Sequence, residues 1–209
     1  MAASVVVAVG VAACGNIERS RNLNDPNVPA KAIAQQVCSN CHGIDGNSIS
    51  PNFPNLSAQT EPYLVEQLKS FRKRSRSDPP GFEYMWGLSR HLTDQQIDGL
   101  ASYFSSQKPA KQPPEGKPAE VSAGRTIFEN GVPEKNIPSC KTCHGDQGQG
   151  KDQFPRIAGQ HADYLMKQLT VFQRTDERPE AAVMKIIAHD LTDANMKDVA
   201  AFLQAMPQQ

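Results

Sequence analysis

Apolar positions recur at helical spacing along this chain of 209 residues, and they do so twice. Leu64, Leu68 and Phe71 fall at i, i+4 and i+7, and Leu165, Leu169 and Phe172 repeat them 101 residues later, with Tyr63, Gln67, Tyr164 and Gln168 also matched. Each set lays one apolar stripe on a helix. Further on, Ile97, Leu100, Ala101 and Phe104 follow Leu92-Thr93-Asp94, and Met196, Val199, Ala200 and Leu203 follow Leu191-Thr192-Asp193. Both runs obey the i, i+3, i+4, i+7 rule. Thr93 with Gln96 has the pattern of a capping box, whereas Thr192 meets Asn195, so only the cap itself is expected in the second copy. Shorter helices suit residues 30–38 and 119–130. No alternating strand pattern of useful length occurs, so both halves read as all-α.

The segments between are polar and rich in proline and asparagine. Residues 15–30 have the composition of a tether, and residues 108–118 read as a semi-rigid linker. The expected organisation is a signal peptide over 1–13, a tether over 14–29, a first domain over 30–107, the linker over 108–118 and a second domain over 119–209. Halves of about 90 to 100 residues bury limited apolar surface, and 38% hydrophobic residues do not compensate. A large flat apolar cofactor in each core would.

The chain names such a cofactor. Cys38-Ser39-Asn40-Cys41-His42 and Cys140-Lys141-Thr142-Cys143-His144 are two copies of Cys-x-x-Cys-His, the attachment motif of c-type haem. Two thiols three residues apart add to the two vinyl groups of one haem, and the adjacent histidine reaches its iron. With five Cys and five His in the chain, chance supplies roughly 0.003 matches. The other readings of Cys-x-x-Cys are a thioredoxin-like redox pair and half of a zinc site. A histidine directly after both copies favours haem.

An iron with one histidine either keeps an open position for chemistry or takes a second ligand and only transfers electrons. Met85 lies seven residues before Leu92, and Met184 seven before Leu191, in segments that otherwise differ. Both are expected as axial thioethers. His189 is the rival ligand in the second half, while Met166, Met196 and Met206 read as filler. Trp86, beside Met85, reads as haem packing.

Charge is balanced at 22 basic and 22 acidic residues, close to +1 over 14–108 and −1 over 109–209. Nucleic acid is not suggested. The densest basic run, Arg72, Lys73, Arg74 and Arg76, either docks an acidic partner or is the solvated end of a helix. The amino terminus is apolar and small-residue-rich, ending Val11-Ala12-Ala13-Cys14, which resembles a bacterial lipobox. That resemblance implies cleavage before Cys14 and lipidation of its thiol, and it accounts for the odd fifth cysteine. Ordinary signal cleavage after Ala13 is the alternative. Either reading exports the chain to the periplasm, and no window supplies the roughly 20 apolar residues of a membrane span.

Taken together, the haem motif, Pro54-Asn55-Leu56 or Pro155-Arg156-Ile157, the Tyr-Leu-x-x-Gln-Leu helix and a methionine ahead of Leu-Thr-Asp resemble cytochrome c4, a two-domain diheme class I cytochrome. The resemblance covers residues 30–206. It implies an all-α tandem of two class I cytochrome c domains, each wrapped around one covalent haem c, with the carbonyls of Pro54 and Pro155 accepting bonds from His42 and His144. It departs at Ala58, where the family prefers glycine and where the second half keeps Gly159. The expected function is that of a periplasmic, lipid-anchored electron carrier rather than an enzyme. The family implies a quinol-oxidising complex upstream and a haem–copper oxidase downstream. The alternatives are the electron-accepting subunit of a periplasmic dehydrogenase and a diheme peroxidase. The sequence leaves the oligomeric state undetermined.

Overall fold

The computed structural model describes residues 17–79 and 81–207, so Cys14 and the expected signal peptide lie outside the described residues. In the first half, α1 (Ala30–Ile33) runs through a π-helical turn, Ala34–Cys38, into α2 (Ser39–His42). Then come α3 (Glu61–Arg72), α4 (Gly81–Ser89) and α5 (Asp94–Ser105). The second half repeats the order with α6 (Pro118–Asn130), α7 (Lys141–His144), α8 (Ala162–Arg174), α9 (Ala182–Ala188) and α10 (Asp193–Ala205). No strand forms among the described residues beyond two isolated bridges, and none of their helices is long and apolar enough to cross a membrane.

Each half builds its own core from the periodic positions. Helix α5 packs on α1 and α3 and buries Ile33, Leu64, Ile97, Leu100 and Phe104. Helix α10 packs on α6 and α8 and buries Phe128, Leu165, Met196, Val199 and Leu203. At the α6–α10 crossing a Cβ on Gly124 would lie 1.9 Å from Asp198 O, so only glycine permits the approach. Part of the amino-terminal stretch also folds onto the first core. Val28 is buried, Leu23 packs against it, and the Gln96 amide donates to the Asp25 and Val28 carbonyls at 3.1 and 3.0 Å.

The second helix start differs from the sequence expectation. Asn195 Oδ1 accepts from Thr192 N at 3.1 Å while Thr192 Oγ1 accepts from Asn195 N at 3.1 Å, so the box is complete. At the third helical position the shorter amide already overhangs the cap's N–H, and the extra methylene of Gln96 is not needed.

Ala58 and Gly159 both sit in the left-handed region, at φ +52° and +70°. Their N–H groups donate to the last turns of α5 and α10, at Phe104 O (3.1 Å) and Leu203 O (2.8 Å). An L-residue costs roughly 1–2 kcal/mol there, partly offset by the smaller backbone entropy alanine loses on folding. Ala58→Gly should therefore stabilise the holoprotein by about 0.5–1 kcal/mol, read as a raised urea midpoint. A lowered midpoint would show that the alanine methyl packs usefully.

The halves meet through a reciprocal exchange. Gln59, five residues after Pro54, accepts from Arg156 N at 2.6 Å and donates to Arg156 O at 2.9 Å. Gln160, five residues after Pro155, accepts from Asn55 N at 2.8 Å and donates to Asn55 O at 3.0 Å. Each side-chain amide thus satisfies both backbone groups of the residue after the other half's proline, as a neighbouring strand would. His161 adds a contact from Nε2 to Ser48 O at 3.0 Å. The connecting segment is pinned too, with Gln204 donating to Pro113 O at 2.8 Å and Asn47 donating to Lys108 O at 3.0 Å.

Candidate haem sites

The two Cys-x-x-Cys-His motifs close short helical turns, so both sulfurs and the imidazole leave the chain on one side. His42 Nδ1 lies 2.9 Å from Pro54 O, and His144 Nδ1 lies 2.8 Å from Pro155 O. A carbonyl accepts only, so Nδ1 carries the proton and Nε2 is left as the metal-binding nitrogen. Burial holds both imidazoles below their ordinary pKa, with the proline carbonyls pulling weakly the other way, so both rings are neutral. Phe53 and Phe154, each preceding its proline, meet the imidazoles edge-on at 6.2 and 6.4 Å. The repeated Phe-Pro dipeptide was a legible signal for this contact, and the sequence reading passed over it.

Burial chiefly pushes the Cys38 thiol up to about 12 and the Cys140 thiol to about 11. Such groups stay protonated in neutral water, whereas a redox-active cysteine has a lowered pKa. Their surroundings suit sulfur consumed in a thioether.

Both motifs open into one cavity of about 740 Å³ shared by the two halves. Cys38, Cys41 and His42 line one end and Cys140, Cys143 and His144 the other, with Pro54 and Pro155 behind the histidines. Met85 enters from α4 and Met184 from α9. Leu64, Phe71, Leu92, Leu165, Phe172 and Leu191 supply apolar walls. Two sulfurs, a neutral imidazole and a thioether around an apolar slot form, at each end, a donor set that fits haem. In the wall, Glu180 Oε2 is buried with no hydrogen-bond partner among the described residues.

Other candidates fall elsewhere. His189 and His91 are exposed and do not line the cavity, and Met196 is fully buried in the second core. Trp86, expected as haem packing, is not among the residues that line the cavity; its ring lies 3.8 Å from the Arg74 guanidinium and 5.2 Å from that of Arg90. On α4 the neighbour of an inward methionine is turned about 100° away from it.

The cytochrome c family model matches this chain twice, over residues 28–108 and 121–207. Cytochrome c-552 of Acidithiobacillus ferridurans is 38% identical over 190 residues, which is 90% of this chain and 82% of that protein. The crystal structure of reduced recombinant cytochrome c4 from Pseudomonas stutzeri superposes with a TM-score of 0.77 at 33% identity, covering 88% of this chain and all of that one. This chain belongs to the cytochrome c4 family. As a c4-type cytochrome it carries two covalently bound haem c groups and is an electron carrier, not an enzyme. The thiosulfate dehydrogenase electron acceptor of Thiomonas intermedia (strain K12) is also similar, 32% identical over 81% of this chain and 78% of that protein.

Between its two haem sites this c4-type cytochrome holds a buried polar wall with pseudo-twofold symmetry. Arg76 donates to Gln67 Oε1 at 2.6 Å and to Gln168 Oε1 at 3.3 Å. Arg178 donates to the same two oxygens, at 2.8 Å on Gln67. The Nε of Arg76 meets Asp78 at 2.6 Å, and that of Arg178 meets Glu180 at 2.7 Å. Each guanidinium also covers its own half's phenylalanine, Phe71 at 4.4 Å and Phe172 at 4.8 Å. Arg76 therefore leaves the solvated basic run in which the sequence placed it. Docking of the second half covers it, and a cation cut off from water takes a carboxylate.

Proposed function

We propose that this chain is an exported, lipid-tethered shuttle that takes single electrons from a quinol-oxidising complex and delivers them to a haem–copper oxidase. What supports the reading is the single cavity that receives both Cys-x-x-Cys-His motifs and one methionine at each end. Bound haem supplies a one-electron iron couple. Cys38 and Cys41, and likewise Cys140 and Cys143, are the thioether sulfurs, and His42 and His144 are the proximal ligands held in one tautomer by Pro54 and Pro155. Met85 and Met184 are the distal ligands. Their soft sulfur favours ferrous iron and raises both potentials relative to a second histidine. With both positions filled by the chain, nothing is left for peroxide to bind. Acylation at Cys14 would hold the carrier at a periplasmic membrane face and raise its effective concentration there.

The similarity to a thiosulfate dehydrogenase electron acceptor favours a second reading, in which a periplasmic dehydrogenase is the electron donor. Purification from the native membrane separates the two. Stoichiometric co-elution with a catalytic subunit selects the acceptor reading, and elution alone selects the shuttle. The ligand assignment is tested by optical redox titration of the holoprotein with and without carbon monoxide. Two low-spin haems that ignore the gas are expected; a high-spin haem that binds it would remove the methionine from that half.

A further inference from the structure

The carbonyl behind each haem-motif histidine belongs to a peptide unit whose N–H is held by the opposite half. His42 Nδ1–H donates to Pro54 O at 2.9 Å, and the N–H of that same peptide, on Asn55, donates to Gln160 Oε1 at 2.8 Å. His144 Nδ1–H donates to Pro155 O at 2.8 Å, and the N–H of that peptide, on Arg156, donates to Gln59 Oε1 at 2.6 Å. Two unbroken chains of hydrogen bonds therefore run from a glutamine of one half, through one peptide group, to the imidazole of the other.

Neither side-chain amide can be turned round. Gln160 Oε1 also accepts from His161 N at 3.0 Å, and Gln59 Oε1 from Thr60 N at 2.9 Å, while the two Nε2 groups donate to Asn55 O at 3.0 Å and Arg156 O at 2.9 Å. A flipped amide would set a donor against two donors. Asn55, Gln59, Arg156 and Gln160 are all buried, so bulk water does not compete and each bond polarises the next. An oxygen that draws on the peptide N–H leaves the proline carbonyl more negative and a better acceptor. The imidazole that donates to that carbonyl gains imidazolate character and becomes a more basic ligand.

We infer that Gln160 tunes the first haem and Gln59 the second, each acting across the interface as a positioning residue on the other half's proximal histidine. A more basic imidazole stabilises ferric over ferrous iron, so each glutamine holds the opposite potential down. Docking of the halves thereby sets both potentials at once. The inference deepens the electron-carrier reading and rests on its assignment of His42 and His144 to iron.

The test uses the reduced, 15N-labelled holoprotein, with the two Nδ1–H resonances read by NMR and both midpoints by redox titration. Stepwise oxidation assigns each midpoint to its haem, since paramagnetic ferric iron displaces the resonance of its own histidine. Gln160→Met, which keeps the bulk and removes the amide, should move the His42 resonance upfield and raise the first haem's potential. At the parent midpoint the ferrous-to-ferric ratio should rise about twofold or more, and twofold is about 18 mV for one electron. The second haem should not move. Gln59→Met should give the mirror image. Gln204→Met removes an equally buried amide that ties α10 to Pro113 O, outside both chains, and should leave both potentials in place. Haem spectra report that each variant is folded. Gln160→Asn and Gln59→Asn, one methylene too short to reach, serve where methionine does not fold. Unmoved potentials, a shift confined to the variant's own half, or equal shifts of both haems would overturn the inference and leave the glutamines as interface packing. A histidine resonance that oxidation leaves in place would take that residue off the iron. That result would overturn the inference at its base, and it is distinct from a loss of tuning.

Discussion

Met85→Ala is expected to give a holoprotein in which the first haem alone turns high-spin, binds carbon monoxide and falls in potential by on the order of 100 mV. Axial ligands move haem potentials over roughly 0.8 V, so a change of this size is a modest part of that range. Alanine carries no donor, and the spare histidines and the core methionine stand away from the cavity: His91 and His189 are exposed, and Met196 is sealed in the second core. Met184→Ala should do the same to the second haem. Because the sites share one cavity yet are held by separate helices, α4 and α9, each substitution should leave the other haem's ligand band intact. Visible and magnetic circular dichroism spectra of the two variants check this. A wild-type spectrum in either one would strip that methionine of the role.

Asp78→Ala should destabilise the holoprotein by about 3–5 kcal/mol, since it strands a buried guanidinium. The Asp78 and Arg76 side chains are 1% and 5% exposed and meet at 2.6 Å. Removing both, as Arg76→Met with Asp78→Leu, should recover much of the loss, because the pair's attraction largely offsets its own desolvation. The same contact sets an acid limit. Burial alone would raise the Asp78 carboxyl, but the hydrogen bond and charge of Arg76, with Arg178 and Gln168, more than reverse it and leave it below its ordinary 3.8. A carboxyl depressed in the folded state adds stability that is complete above that ordinary value and is lost as pH falls through the depressed one. Stability should therefore drop below about pH 4 in the parent, and less steeply in Asp78→Ala. Guanidinium unfolding at stepped pH reads both effects, and an equal acid slope in the two proteins would assign the acid limit to other carboxylates.

The sequence by itself determined what depends on spacing along the chain. Two thiols and an imidazole within five residues are brought together by local geometry whatever the surrounding fold, so the haem motifs were legible without a structure. The helices at 61–72, 94–105, 162–174 and 193–205 were legible because burial against a core demands a 3.6-residue period. Met85 and Met184 became candidates only because the chain repeats itself.

Tertiary structure alone decided which polar groups lose water. Arg74 and Arg76 stand two residues apart in one basic run, yet one is exposed on Trp86 and the other is closed inside the interface. Gln59 and Gln160, unremarkable in sequence, bind backbone 97 and 105 residues away. Trp86 beside a cavity-lining methionine faces outward. The cost of an unpaired buried charge or amide arises only when a distant surface excludes solvent from it, and nothing in local spacing records that event.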